Sequence, residues 1–274
     1  MRNLLRFSNR TSGISVIRSG RWPRWSSPES TISLAQKRRP MPYMIGTTAK
    51  ETVLFIGVDV NSSTSAEAEA LCLEAGVSVA PPGQTSTAVV NACRDHYKLG
   101  PSTLVSHPDT DHLFWYNKKI EISDDLFFQY AFLDASTMRN AATASSKRTF
   151  DYPVYLYSFD YVKEGLENFA PWHAIDLWHL FEFDVHPEPL PPLGLKTAND
   201  RKIDTILCEL YRNFAKYSNP TPSWKNLTAW APLSTPLGFN YYSIDLPRPR
   251  LKPFYHYEAV QFWGTVIPYL AKFG

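Results

Sequence analysis

At 274 residues, 44% of them hydrophobic and including 8 Trp, 15 Tyr and 16 Phe, the chain has material for one large or two small domains with a sizeable core. No run of 18 apolar residues occurs, which excludes a predicted transmembrane helix. The formal net charge of +2 conceals a division: residues 1–39 hold nine Lys/Arg against one acid, and the remainder holds 19 basic and 25 acidic groups, so no basic nucleic-acid-binding domain is indicated.

In residues 1–39, Arg2, Arg6, Arg10, Arg18, Arg21 and Arg24 stand among serines with no acid before Glu29. This composition is like that of a mitochondrial transit peptide, and more simply that of a polar basic tail without fixed structure, so the folded unit is set at residues 40–274. No signal peptide is evident, and the compartment stays open. Residues 40–48 (PMPYMIGTT) read as a short buried strand, with Glu51 just beyond it. An acid there is ordinarily a solvated turn or cap residue. Residues 53–83 are small, polar and proline-terminated, with a loop over 61–64. Helices are predicted over 85–97 and 124–143, the second capped by Ser123 with acids in its first turn.

Between those helices lies HPDTDH, residues 107–112. Two histidines and two aspartates in six residues could suggest a metal site, but the prolyl, polar composition fits a surface turn, and no metal or cofactor is assigned. The spacing of Cys72, Cys93 and Cys208 signals neither a zinc site nor a full disulfide framework, and at most one pair could form. Asn-x-Ser/Thr acceptors occur at Asn9, Asn61 and Asn226, which matter only in a secreted chain.

Residues 153–159 fill with Val, Tyr, Leu and Phe as a buried strand opened by a proline. His173 stands in the loop that follows. A short helix is predicted over 176–181, then a proline-rich connection over 187–192. Asn199 is the predicted cap of a helix over 200–217, where Ile203, Leu207, Leu210 and Phe214 recur at helical spacing. A strand over 239–245 and a last helix over 257–273, bent by Pro268, complete the pattern.

An imidazole just past a central strand sits where an α/β sheet places reacting groups. Glu51 occupies the equivalent place after the earlier strand, so a parallel sheet would carry both loops to one edge although 122 residues separate them. Asp176 and Asp160 are the competing partners for the imidazole, the first more simply a cap of the following helix.

Five segments in this order resemble the second half of an α/β-hydrolase of the type-B carboxylesterase family, which includes the cholinesterases. PYMIGTTAKE is similar to the strand and loop that carry the catalytic acid, and ISDDLFF to a Ser-Asp-x-x-Phe helix start. PVYLYSFDY resembles the last core strand and PWHAIDLWHLF the His-Gly-x-Glu loop. YRNFAKYSNPTPSW resembles the Trp-x-Asn-Phe-Ala-x-x-Gly-Asn-Pro helix end. Together they cover roughly residues 40–270. Ala174 and Ser218 stand where the family has glycine, and Val260 where many relatives have a disulfide cysteine.

The resemblance implies the C-terminal portion of an α/β-hydrolase fold, a mostly parallel central sheet flanked by helices and incomplete on its N-terminal side. It further implies acyl transfer, with His173 as proton carrier and Glu51 as its orienting acid. The nucleophile of that chemistry sits on a G-x-S-x-G elbow. No such string occurs in these 274 residues; Gly13-Ile14-Ser15-Val16-Ile17 lacks the second glycine, and Ser15 reads as a tail residue. The expectation is therefore a chain that is inactive alone and meets a small-molecule ester only if the missing N-terminal half is supplied. The alternative is a non-catalytic esterase-like module that binds a protein partner. The chain ends at Gly274 without the residues of a membrane-anchor tail.

Overall fold

Strand β2 (Val154–Phe159, VYLYSF) is buried at every position, and its alternation decides the layout. Tyr155, Tyr157 and Phe159 enter one apolar cluster, whereas Val154 and Leu156 enter another on the opposite face. A strand buried on both faces belongs at the centre of a helix-covered parallel sheet, and that is where it lies. β1 (Tyr43–Thr48) and β3 (Tyr241–Ile244) flank it in parallel, and β4 (Arg250–Lys252) adds antiparallel to β3, giving the order β1-β2-β3-β4. The computed structural model describes residues 41–56, 59–145, 152–169, 171–181, 192–223, 227–233 and 239–274, apart from the side chains at 130, 137 and 140–145. The basic stretch over 1–39 and most of the proline-rich connection lie outside them.

The register Tyr43↔Val154 to Thr48↔Phe159 holds β1 close to β2, and Gly46 shows why. A Cβ on Gly46 would stand 2.4 Å from the Tyr157 ring, so only glycine lets that buried ring lie across the neighbouring strand. Tyr157 then joins Tyr211 through a hydroxyl contact of 2.8 Å, tying the sheet to the helix that covers it.

Helices occupy both faces. α1 (Val53–Ile56) and a 3₁₀ turn (Val60–Ser62) follow β1, then α2 (Ser65–Val79), α3 (Thr87–His96) and α4 (Pro101–Ser106). α5 (His112–Ser145) is 34 residues, about 51 Å at 1.5 Å per residue. α6 (Ile175–Phe181) and α7 (Ala198–Tyr217) follow β2. The chain closes on α8 (Tyr257–Gln261), a π-turn (Phe262–Val266) and α9 (Ile267–Phe273).

Four local expectations change here. α2 falls in a stretch read as irregular; Glu67 reaches back to the Thr64 N–H at 3.1 Å, the S/T-x-x-E start signal. Its Gly76 lets Val90 of α3 approach to 2.4 Å from where a Cβ would be. α5 begins at His112 rather than after Ser123, because the acids at 124 and 125 find partners off the helix instead of capping it. The cap of α7 is Thr197, which accepts the Asp200 N–H at 3.2 Å while Asp200 accepts the Thr197 N–H at 2.7 Å, so Asn199 lies inside the helix. The last helix accommodates Pro268 by a preceding π-turn, which widens the backbone where the ring would meet a carbonyl.

Candidate active site

Beyond the β1/β2 ladder the two segments that leave these strands pair once more. The Lys50 N–H donates to the Pro171 carbonyl at 3.0 Å, and Lys50 opposes Trp172 in a parallel bridge. The next residues on these two segments are Glu51 and His173, so the bridge sets their side chains abreast. Trp172 is buried and holds one loop down; Lys50 Nζ holds the other through the carbonyls of Glu167 at 3.1 Å and Asn168 at 2.8 Å.

Glu51 Oε2 lies 2.5 Å from His173 Nδ1, and Glu51 Oε1 accepts the Thr48 N–H at 2.6 Å. The carboxylate side chain is 7% exposed and the imidazole 39%, so the acid is sealed and the ring reaches the surface. Among the described residues His173 Nε2 makes no hydrogen bond. Burial on its own would lower the imidazole's pKa. The hydrogen bond and charge of Glu51, with the charge of Asp176, outweigh it and hold His173 above its ordinary value. Phe55 leans on the ring at 5.5 Å, backed by Phe127 at 6.0 Å.

The competing aspartates face elsewhere. Asp176 accepts the Tyr157 hydroxyl at 3.4 Å, and burial, then the charge of Glu51, pushes its carboxyl up to about 6. Asp160 accepts the Ser158 and Ser243 hydroxyls, each at 2.5 Å, and the Lys252 ammonium at 3.3 Å.

One contributor to this site escaped the residue-by-residue reading. Asp124 Oδ1, from the middle of α5, accepts both the backbone N–H and the hydroxyl of Thr52, each at 2.7 Å, and so pins the turn that carries Glu51. Two adjacent acids in a long apolar helix were the available signal. Burial raises Asp124 to about 8 against the Thr52 hydrogen bonds, and the charges of Glu51 and Asp125 add to the rise. Its folded pKa exceeds its unfolded one, so its contribution to stability is full below about pH 4 and is lost as pH rises towards 8. Asp124→Asn keeps an acceptor for Thr52 but cannot ionise. Its urea midpoint should therefore differ less between pH 5 and pH 8 than the parent's, leaving the part due to the other groups that titrate there, Asp125, Asp176 and His173 among them; equal differences would remove this account.

Ala174, directly after His173, has φ +68°, and Ser218 at the end of α7 has φ +55°. Both are left-handed positions that cost an L-residue about 1–2 kcal/mol, which glycine avoids at an entropic cost of about 0.5–1 kcal/mol. Ala174→Gly and Ser218→Gly are each expected to raise stability by up to about 1 kcal/mol, read from urea unfolding.

The histidines and aspartates of residues 107–112 are taken up within the chain. His107 Nδ1 lies 2.7 Å from Asp111, His112 Nδ1 donates to the Ser63 carbonyl at 2.8 Å, and Asp109 accepts the Ser65 N–H at 3.0 Å. Among the described residues no group of three His, Cys, Asp or Glu could hold a metal ion, and no helix is long and apolar enough to cross a membrane.

The model of the carboxylesterase family matches residues 8–263. The chain belongs to the carboxylesterase family. Esterase cest-33 of Caenorhabditis elegans is 26% identical over 200 residues, 69% of this chain and 33% of that protein. Neuroligin-like protein glit-1 of the same nematode is 28% identical over 145 residues, 48% of this chain and 20% of its own length. The chain thus spans a third or less of the length of these two relatives. Its mostly parallel sheet with flanking helices agrees with the α/β-hydrolase architecture of the family.

Proposed function

We propose that this chain carries the acid and the histidine of a serine-esterase triad, Glu51 and His173, and does not hydrolyse esters by itself. The observation that supports the reading is the 2.5 Å contact between the sealed carboxylate and Nδ1, with Nε2 left towards the surface. In that role a serine oxygen from elsewhere attacks the ester carbonyl while its proton passes to Nε2. The alkoxide leaves with that proton, and water then releases the acyl group by the same relay. Glu51 keeps the Nδ1 proton in place and stabilises the imidazolium. The part that would act as nucleophile has no G-x-S-x-G counterpart in these 274 residues.

The test is hydrolysis of an activated aryl ester by the 274-residue chain. The parent and His173→Ala should give equal rates, and a fluorophosphonate probe should label no serine. A histidine-dependent burst of product would overturn the proposal.

A second reading is a non-catalytic module that recognises a protein. What favours it is the match to a relative described as neuroligin-like. The retained Glu51–His173 pair favours the first reading, since recognition needs neither group in this geometry.

A further inference from the structure

Two features lie apart from the dyad. Cys72 of α2 and Cys93 of α3 form a disulfide with a Cα–Cα separation of 5.5 Å, and both residues are fully buried. It sits in the cluster that packs these helices against α5 and the chain's last helix. Eleven residues before Cys72, Asn61-Ser62-Ser63 is an Asn-x-Ser acceptor on the 3₁₀ turn Val60–Ser62, with Asn61 and Ser62 exposed. Each feature gives the other meaning. A structural disulfide forms and persists in an oxidising compartment, and the eukaryotic secretory pathway is the one in which asparagine acceptors are also glycosylated.

We propose that Asn61 carries an N-linked oligosaccharide. The turn suits it: the Asn61 backbone N–H is held by Asp59 Oδ1 at 3.0 Å, which fixes the backbone and leaves the carboxamide on the outer side. The acceptor hydroxyl tells when the sugar is added. Ser63 is fully buried in the folded chain, its Oγ donating to the Asp59 carbonyl at 3.4 Å and its own carbonyl taken by His112. The transferase must engage that hydroxyl, so the reaction precedes closure of this turn onto α5. The donor class is a lipid-pyrophosphate-linked oligosaccharide. Asn61 Nδ2 forms a bond to the anomeric carbon, the bond from that carbon to the pyrophosphate oxygen breaks, and the amide proton goes to solvent, with no change of oxidation state. In the folded protein the sugar projects from the exposed turn, where it displaces no core side chain.

The experiment expresses the 274-residue chain behind a cleavable signal sequence in a eukaryotic host. Material both secreted and retained is collected, the glycan is removed with peptide N-glycosidase F in heavy-oxygen water, and the Asn61 peptide is read by mass spectrometry. Conversion of Asn61 to heavy-oxygen aspartate is expected, together with protection of Cys72 and Cys93 from alkylation. Asn61→Gln and Ser63→Ala should each abolish the mark at this site, and Ser63→Thr should keep it. Site-specific reading separates Asn61 from Asn9 and Asn226. An unmodified Asn61 peptide in protein whose Cys72–Cys93 bond has formed would overturn the proposal, as would reduced Cys72 and Cys93 in the protein isolated from its own cells.

Discussion

Asp200→Ala is expected to destabilise the fold by about 3–5 kcal/mol, the range for breaking a buried ion pair from one side. Asp200 is fully buried, and the Lys163 side chain is only 7% exposed. One carboxylate oxygen takes the Lys163 ammonium at 2.5 Å and the Thr197 N–H at 2.7 Å; the other takes the Tyr161 hydroxyl at 2.8 Å. Burial alone would raise the Asp200 pKa, but the Lys163, Thr197 and Tyr161 hydrogen bonds hold it below the ordinary carboxylate value. With the folded pKa depressed, its contribution is present above the unfolded pKa and is lost as pH falls through the folded one. Removing the carboxylate leaves an ammonium over the Trp178 ring at 5.4 Å with, among the described residues, the Leu195 carbonyl at 3.2 Å as its remaining hydrogen-bond partner. The start of α7 also loses its reciprocal cap. Urea unfolding of Asp200→Ala, Lys163→Met and the double variant separates these terms. The double should be less destabilised than the sum of the singles, because no charge is then stranded. Strict additivity would show that the pair is not coupled.

This ion pair marks where reading along the chain stops being enough. β1, β2 and β3 were legible because Val, Tyr, Ile and Phe concentrate in short runs, and α7 because Ile203, Leu207 and Leu210 recur on one face and are all fully buried. α2 was not, since its buried residues are Ala68, Cys72, Ala75 and Gly76, and a face made of small residues leaves almost no apolar period to see. The start of α5 was misplaced for the opposite reason. Ser-Asp-Asp has the composition of a helix start, yet here Asp124 reaches Thr52 and Asp125 takes the Tyr97 hydroxyl at 2.9 Å. Tertiary partners overrode a local rule, and they did so beside the candidate site, where such conflicts are expected. Glu51 and His173 were legible as loop residues after two strands. Their contact depended on the one-residue register of the Lys50–Trp172 bridge, which no local pattern encodes.

That register has a consequence measurable without any substrate. In Glu51→Gln the Nδ1 partner remains a hydrogen-bond acceptor of similar shape, but the charge that raises the His173 pKa is gone. Burial then acts against a neutral hydrogen bond and the charge of Asp176, without the charge of Glu51, so the His173 ring resonances should titrate at a lower pH than in the parent. The sign for stability follows. In the parent the folded His173 pKa lies above the unfolded value, so the contribution of the pair is fully present below about pH 6.5 and is lost as pH rises through the folded pKa. The stability difference between parent and Glu51→Gln should therefore be larger at pH 6 than at pH 8.5, and the imidazole and urea titrations should turn over at the same pH. Asp176→Asn serves as the comparison. It removes a weaker charge effect while leaving Nδ1 bonded to Glu51, so its histidine should move in the same direction but less. A His173 titration unchanged by Glu51→Gln, or shifted more by Asp176→Asn, would show that the carboxylate beside the ring does not set its protonation, and the orienting role assigned to Glu51 would fall with it.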